Sequence, residues 1–185
     1  GILASIKRID NMSFRSDRNA QQFDLFINFL PPTSEPHTYA LPALYPYATQ
    51  VNGEIGGQFE ISYMIPRGSP LGGKYGTRLN FNSAISNSID KSVLEDGTRG
   101  LKGTQGYISD YLKLGPIRYF QDLNASISHK FSKQYKSQIT FYHLEYNKTV
   151  LNDGVGDITI LENPGMDSVI NINAMVWENQ FKIPN

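Results

Sequence analysis

The chain has 185 residues, enough for one domain with an ordinary core. Its 17 basic and 17 acidic side chains cancel, and no local Lys/Arg run breaks that balance, which argues against nucleic acid as a partner. There is no cysteine, which removes disulfides, thiolate metal ligands and cysteine nucleophiles together. No segment approaches the roughly 18 apolar residues of a membrane-spanning helix, but a barrel strand shows only every second residue to lipid and would not register that way.

Taken in chain order, Ile2–Ile9 reads as a strand. The opening Gly-Ile-Leu-Ala-Ser lacks the basic lead, apolar stretch and cleavage site of a signal peptide, so the reading favoured is a start inside a longer protein. A long loop over Asp10–Ala20 leads to a strand over Gln22–Leu30, a short turn at Pro31–Pro36, and a weak strand over His37–Tyr47, where Pro42 and Pro46 each remove a ladder donor. Ala48–Asn52 is short where a long loop is due. In Gly53–Ile65 the alternation is clear: Ile55, Gly57, Phe59, Ile61, Tyr63 and Ile65 oppose Glu54, Gly56, Gln58, Glu60, Ser62 and Met64.

A Pro/Gly turn at Pro66–Gly73 then gives way to Lys74–Ile89. There Tyr75, Thr77, Leu79, Phe81, Ile85 and Ile89 oppose Lys74, Arg78, Asn80, Asn82 and Ser86. After a long loop over Asp90–Tyr119, the pattern returns with Leu123, Ala125, Ile127, His129 and Phe131 against Asp122, Asn124, Ser126, Ser128 and Lys130. A short turn at Ser132–Lys136, a strand over Ser137–Thr149, a long loop over Val150–Asp167 and a strand over Ser168–Ile183 complete the chain. Apart from Ala48–Asn52, connections run long, short, long, short. Up-and-down membrane barrels have this layout, with tight periplasmic turns and long outer loops. Two strands also exceed the usual five or six residues of a soluble sheet.

Several motifs suggest chemistry and are better explained by structure. Gly68-Ser-Pro-Leu-Gly72-Gly73-Lys74 has the spacing of a phosphate-cradling loop. That loop needs a helix after it and Ser or Thr after the lysine, whereas Tyr75 follows and the pattern continues as strand. His37, His129 and His143 show no helical zinc spacing. No Gly-x-Ser-x-Gly elbow is present, and the carboxylates Glu54 and Glu60 fit a water-lined face better than acid–base catalysis. Asp153–Asp157 lacks the ligand spacing of a calcium loop. Gly97, Gly100, Gly103 and Gly106 lack the length and prolines of collagen. Of the Asn-x-Ser/Thr triplets at Asn11, Asn124 and Asn147, the last two fall in strands, where glycans rarely sit. No catalytic, cofactor or metal residues are therefore assigned, and no enzyme activity is expected.

Tyr39, Tyr45, Tyr47, Tyr63, Tyr75, Phe120, Phe131, Tyr135, Tyr146 and Trp177 fall towards strand ends. Barrels use such rings as interfacial girdles. Plain β-propensity and a sugar-binding platform are the competing readings.

Four stretches carry a resemblance: Lys7 through Arg18, Tyr39-Ala-Leu-Pro42 with Leu44 through Gln50, Gly68 through Gly76, and the turn around Lys130-Phe-Ser-Lys133. Together they resemble a family of outer-membrane β-barrel proteins of Bacteroidota whose function is not characterised. The resemblance covers most of the chain and concerns architecture. It implies a barrel, an outer-membrane location and members longer than this chain, and it brings no catalytic residues.

The expectation is thus a single all-β unit over residues 1–185, an antiparallel up-and-down transmembrane β-barrel or a section of a larger one. Ile55, Phe59, Ile61, Leu79 and Phe81 should face lipid. Glu54, Gln58, Glu60, Arg78, Asn80 and Asn82 should face water in the lumen. The expected partners are outer-membrane lipid and other envelope proteins, with a passive role as channel, surface scaffold or subunit of an envelope complex. The alternative is a soluble β-sandwich binding carbohydrate, since alternation alone cannot say whether lipid or a second sheet covers the apolar face.

Overall fold

The computed structural model describes residues 1–12, 14, 16–17, 30–95, 106–152 and 168–183. The strand expected before Leu30, the glycines at 97, 100 and 103, and the loop at Asp153–Asp157 lie outside the described residues.

In chain order the elements are β1 (Ile2–Asp10), α1 (Ala40–Ala43), β2 (Gly53–Ile65), β3 (Thr77–Ile89), β4 (Ser92–Val93), β5 (Tyr107–Ile108), β6 (Leu114–Lys130), β7 (Tyr135–Asn147), α2 (Lys148–Asn152) and β8 (Val169–Phe181). Six strands form one sheet in the order β1-β2-β3-β6-β7-β8, while β4 and β5 make a separate two-stranded hairpin. Every neighbouring pair is antiparallel. The chain is therefore all-β and its main sheet is an up-and-down meander. That sheet is open, with β1 and β8 as its edges.

Connection lengths sort by end of the sheet. Pro66–Gly76 and Phe131–Gln134 join strands at one end, and residues 11–52, 90–113 and 148–168 join them at the other. The hairpin expected between Gly53–Ile65 and Lys74–Ile89 is present, with Tyr63 opposite Leu79 and Ile61 opposite Phe81. Its turn takes three more residues than expected, because Gly73 and Gly76 adopt φ of 55° and 87°, a region open to glycine and strained for most side chains. No helix follows Lys74, so the context of a phosphate loop is absent.

Other boundaries differ too. His37–Tyr47 is no strand: it is irregular chain with one helical turn at α1. Pro42 sits in that first turn, where backbone N–H groups have no helical partner to lose. The expected loop Asp90–Tyr119 ends at Lys113, since Leu114–Tyr119 extends β6 to 17 residues. At its other end, β7 stops at Asn147 and the chain turns into α2.

The extension of β6 is possible because Gly115 lies against β3: a Cβ there would come within 2.5 Å of the Ile89 carbonyl oxygen. A register shift after Ser86 puts one extra residue into β6. Tyr119 and Phe120, adjacent in sequence, consequently enter the same core with Tyr47, Ile117, Leu144, Tyr146 and Val150. This core sits at the long-loop end of the sheet.

Candidate functional site

Residues directly opposite across an antiparallel ladder share a face, so the register defines two surfaces. One is bare. Its rows read Tyr63, Leu79, Ile127, Ile139, Trp177 and then Ile2, Ile61, Phe81, Ala125, Phe141, Met175 across the sheet. The first row is apolar from β2 to β8 and the second from edge to edge. Ile2, Met175 and Trp177 are 75%, 73% and 67% exposed, and Ile127 and Phe141 about half exposed. Among the described residues no second sheet covers this face; only the β4–β5 hairpin reaches its long-loop corner, where Tyr107 closes over Ile55 and Ile89.

The apolar band runs obliquely to the hydrogen-bonded rows. In the row Ile6, Gly57, Ile85, Gln121, Glu145, Asn171, the first half is apolar and the second polar. At the opposite end the row Ile65, Thr77, His129, Ser137, Asn179 is polar apart from Ile65, and beyond it aromatic rings recur on the β6–β8 side. There the rings of Phe131, Tyr135 and Phe181 stack in sequence at 5.3 and 4.7 Å between centroids. His129 joins edge-on to Phe131 and contacts Thr77 Oγ1 through Nδ1 at 2.6 Å.

The other face is partly covered by residues 30–50, which form a strap across it. Lys7 Nζ of β1 donates to the Pro31 carbonyl at 2.9 Å and to Thr49 Oγ1 at 2.8 Å. Glu54 of β2 is wholly buried. It pairs with Lys7 at 2.9 Å and accepts from the Tyr47 hydroxyl and the Gln50 backbone N–H at 2.5 and 2.7 Å. Farther along, His37 pairs with the buried Asp122 of β6 at 2.9 Å, and the Tyr39 hydroxyl donates to Glu178 of β8 at 2.7 Å. Rings add contact area: Tyr47 stacks on Phe120, and His37 and Tyr39 both meet Tyr142 of β7 edge-on. The strap thus reaches from β1 to β8.

Its electrostatics follow from burial beside carboxylates. Burial, and then the Glu54 carboxylate, push the Tyr47 phenol well above its ordinary range, so it stays a donor. Asp122 holds the His37 imidazole above its ordinary value, with burial opposing and Glu35 assisting. Burial raises Glu35, against the hydrogen bond from Asn124. Between the two limbs of the strap lies a cavity of about 500 Å³, lined chiefly by its prolines with Tyr45, Tyr47, Glu35 and His37.

All eleven side chains assigned to a face by alternation lie on the expected side of the sheet relative to one another. Their surroundings differ. Phe59 and Phe81 are exposed and Ile61 and Leu79 half-exposed, whereas Ile55 is buried under Tyr107 and Ile89. On the opposite face Arg78 is exposed, and Gln58, Glu60 and Asn80 are half-buried. Glu54 and Asn82, expected to face water, are buried; Glu54 lies beneath the strap, and Asn82 receives a bond from Gln58 at 2.9 Å. Tyr45 and Tyr47 of the strap and Phe120 and Tyr146 of the sheet, expected among the girdle aromatics, belong instead to the core between strap and sheet. No motif or spacing in the sequence marks Lys7, Asp122 or Glu178 as site residues. Prolines crowding a would-be strand were the available signal that residues 30–50 do something else. The three histidines do not converge, and among the described residues no group of three or more His, Cys, Asp or Glu side chains could hold a metal ion.

Residues 1–185 match a family of unknown function (DUF6029), and the chain belongs to that family. No curated protein and no solved structure matches it.

Proposed function

We propose that this member of DUF6029 is a section of a membrane-spanning antiparallel β-barrel of a bacterial outer membrane, with its bare face against lipid and its strap inside the lumen. The observation that carries this reading is the oblique apolar band. Strands of membrane barrels tilt by roughly 35–45°, so the boundary between lipid and water crosses hydrogen-bonded rows at an angle. A soluble sheet packed on a second sheet has no reason to change polarity halfway along a row. The stacked rings at the short-turn end suit an interfacial girdle, and the sorting of short and long connections suits a barrel with one periplasmic and one outer side.

The strap favours a scaffold over an open channel. A barrel of about eight strands has room inside chiefly for side chains, so a wall enclosing this strap needs more than about eight strands, beyond the six of this sheet. Further strands must also pair with β1 and β8, because unpaired backbone groups in lipid cost several kcal/mol each. The role that fits is a closed-lumen surface scaffold or envelope subunit that presents its long loops outside.

The test uses single cysteines, clean here because the chain has none of its own. Spin labels at residues 59 and 58 point to opposite faces. A lipid-soluble relaxation agent should reach the label at 59 and miss the one at 58 in reconstituted protein. Equal protection of both labels, in protein that stays dispersed without detergent, would show that a folded core has been mistaken for a membrane surface.

A further inference from the structure

The strap is held differently at its ends and in its middle. Both ends are gathered at Lys7 and Glu54: Lys7 reaches Pro31 and Thr49, and Glu54 takes Tyr47 and Gln50. The middle rests on the β6–β8 half of the sheet through His37 and Tyr39. Of these contacts, only the one between His37 and Asp122 contains an imidazole, the side chain that changes charge near neutral pH.

We propose that His37 and Asp122 form a pH-operated latch that keeps the middle of the strap on the lumen wall when the imidazole is protonated and lets it lift when it is neutral. The geometry supports this. The two side chains are 8% and 0% exposed and 2.9 Å apart, so water does little to screen the pair. Among the described residues, the other side-chain donor near Asp122 is Asn124 Nδ2, a distant 3.4 Å from each oxygen. The groups facing His37 are Asp122 from β6, the Tyr142 ring from β7 and Glu35 from the strap. Glu35 in turn feels Glu60 of β2. Every charged neighbour is acidic, so the site favours the imidazolium, and its loss leaves a buried carboxylate without a counter-charge.

The sign follows. A folded-state imidazole value above the ordinary 6.5 means that docking is at full strength below that pH and is lost as pH rises through the folded value. The lifted segment would be residues 33–44, with both ends still anchored. The effect on passage through a lumen rests on the barrel reading above; the latch itself does not.

A spin label at Thr38→Cys, an exposed strap position, reads the latch directly. Its rotational freedom should be low at about pH 6 and rise several-fold by about pH 9. His37→Gln and Asp122→Asn should each flatten that response. A flat titration in the chain otherwise unaltered would overturn the latch, and that measurement needs neither variant to fold. An undiminished response in both variants would overturn it too. A label at 38 that responds to pH, while the relaxation agent fails to reach residue 59, keeps the latch and removes the lumen. A flat label at 38 with residue 59 reached by the agent removes the latch alone.

Discussion

Glu54 sits in a run where every second side chain is apolar, and alternation alone makes it a water-facing carboxylate. Burial changes its role. With Lys7, Tyr47 and the Gln50 backbone converging on it, it is the point where both ends of the strap are tied to the wall. Breaking a buried ion pair from one side costs roughly 3–5 kcal/mol, because the remaining charge loses its partner. Lys7 keeps some access to water, so Glu54→Gln should sit at the lower end, about 3 kcal/mol. Glu60→Gln, half-buried on the same face, should cost less than about 1 kcal/mol. Urea unfolding of both variants in lipid vesicles measures the difference. A small, equal loss at the two positions would mean that Glu54 does not anchor the strap.

At the scale of elements, the β2–β3 hairpin and the segment after Pro31 show what period-two reading does and does not capture. The hairpin has one apolar face, so a slip of one residue would turn every side chain to the wrong side. Its register is correspondingly well specified. Ser62 lies opposite Asn80, with their side chains hydrogen-bonded at 2.8 Å. Directly opposed Cα atoms in such ladders fall within disulfide range. Ser62→Cys with Asn80→Cys should therefore cross-link readily on mild oxidation, and Ser62→Cys with Asn82→Cys should not. Efficient cross-linking of the second pair would place the hairpin in another register. The segment 37–47 shows weak alternation and contains Pro42 and Pro46. Its conformation follows from the missing donors and from the partners that it finds on the sheet.

For the whole molecule, the question is what the strap does to the space beside the strap-covered face. If that space is a lumen, the strap fills part of it, and replacing residues 33–43 with a short Gly/Ser linker should open an ion path. Single-channel recording in planar bilayers should then show larger conductance steps for the shortened protein than for the intact one. Retaining Lys7, Glu54, Tyr47 and Gln50 keeps the anchoring cluster in place. Equal or absent conductance in both would argue that the strap lines a closed wall or an interface with another protein.

The sequence by itself determined the six strands of the main sheet apart from some of their ends, the two faces of the β2–β3 hairpin and the short turns that follow β2 and β6, because each depends on neighbours within a few residues. Alternation needs only a pleated backbone with two unlike surroundings. Glycines that accept positive φ, with Pro66 and Pro70 beside them, were enough to mark the turn after β2. The tertiary structure alone decided which polar side chains stay wet. Tyr39 meets Glu178 across 139 residues of chain, and no local pattern records a contact of that range. The same holds for Ile55, apolar and on the expected face, yet closed off by Tyr107 from a distant hairpin. Local periodicity assigns a side chain to a face; only the folded chain decides what covers it.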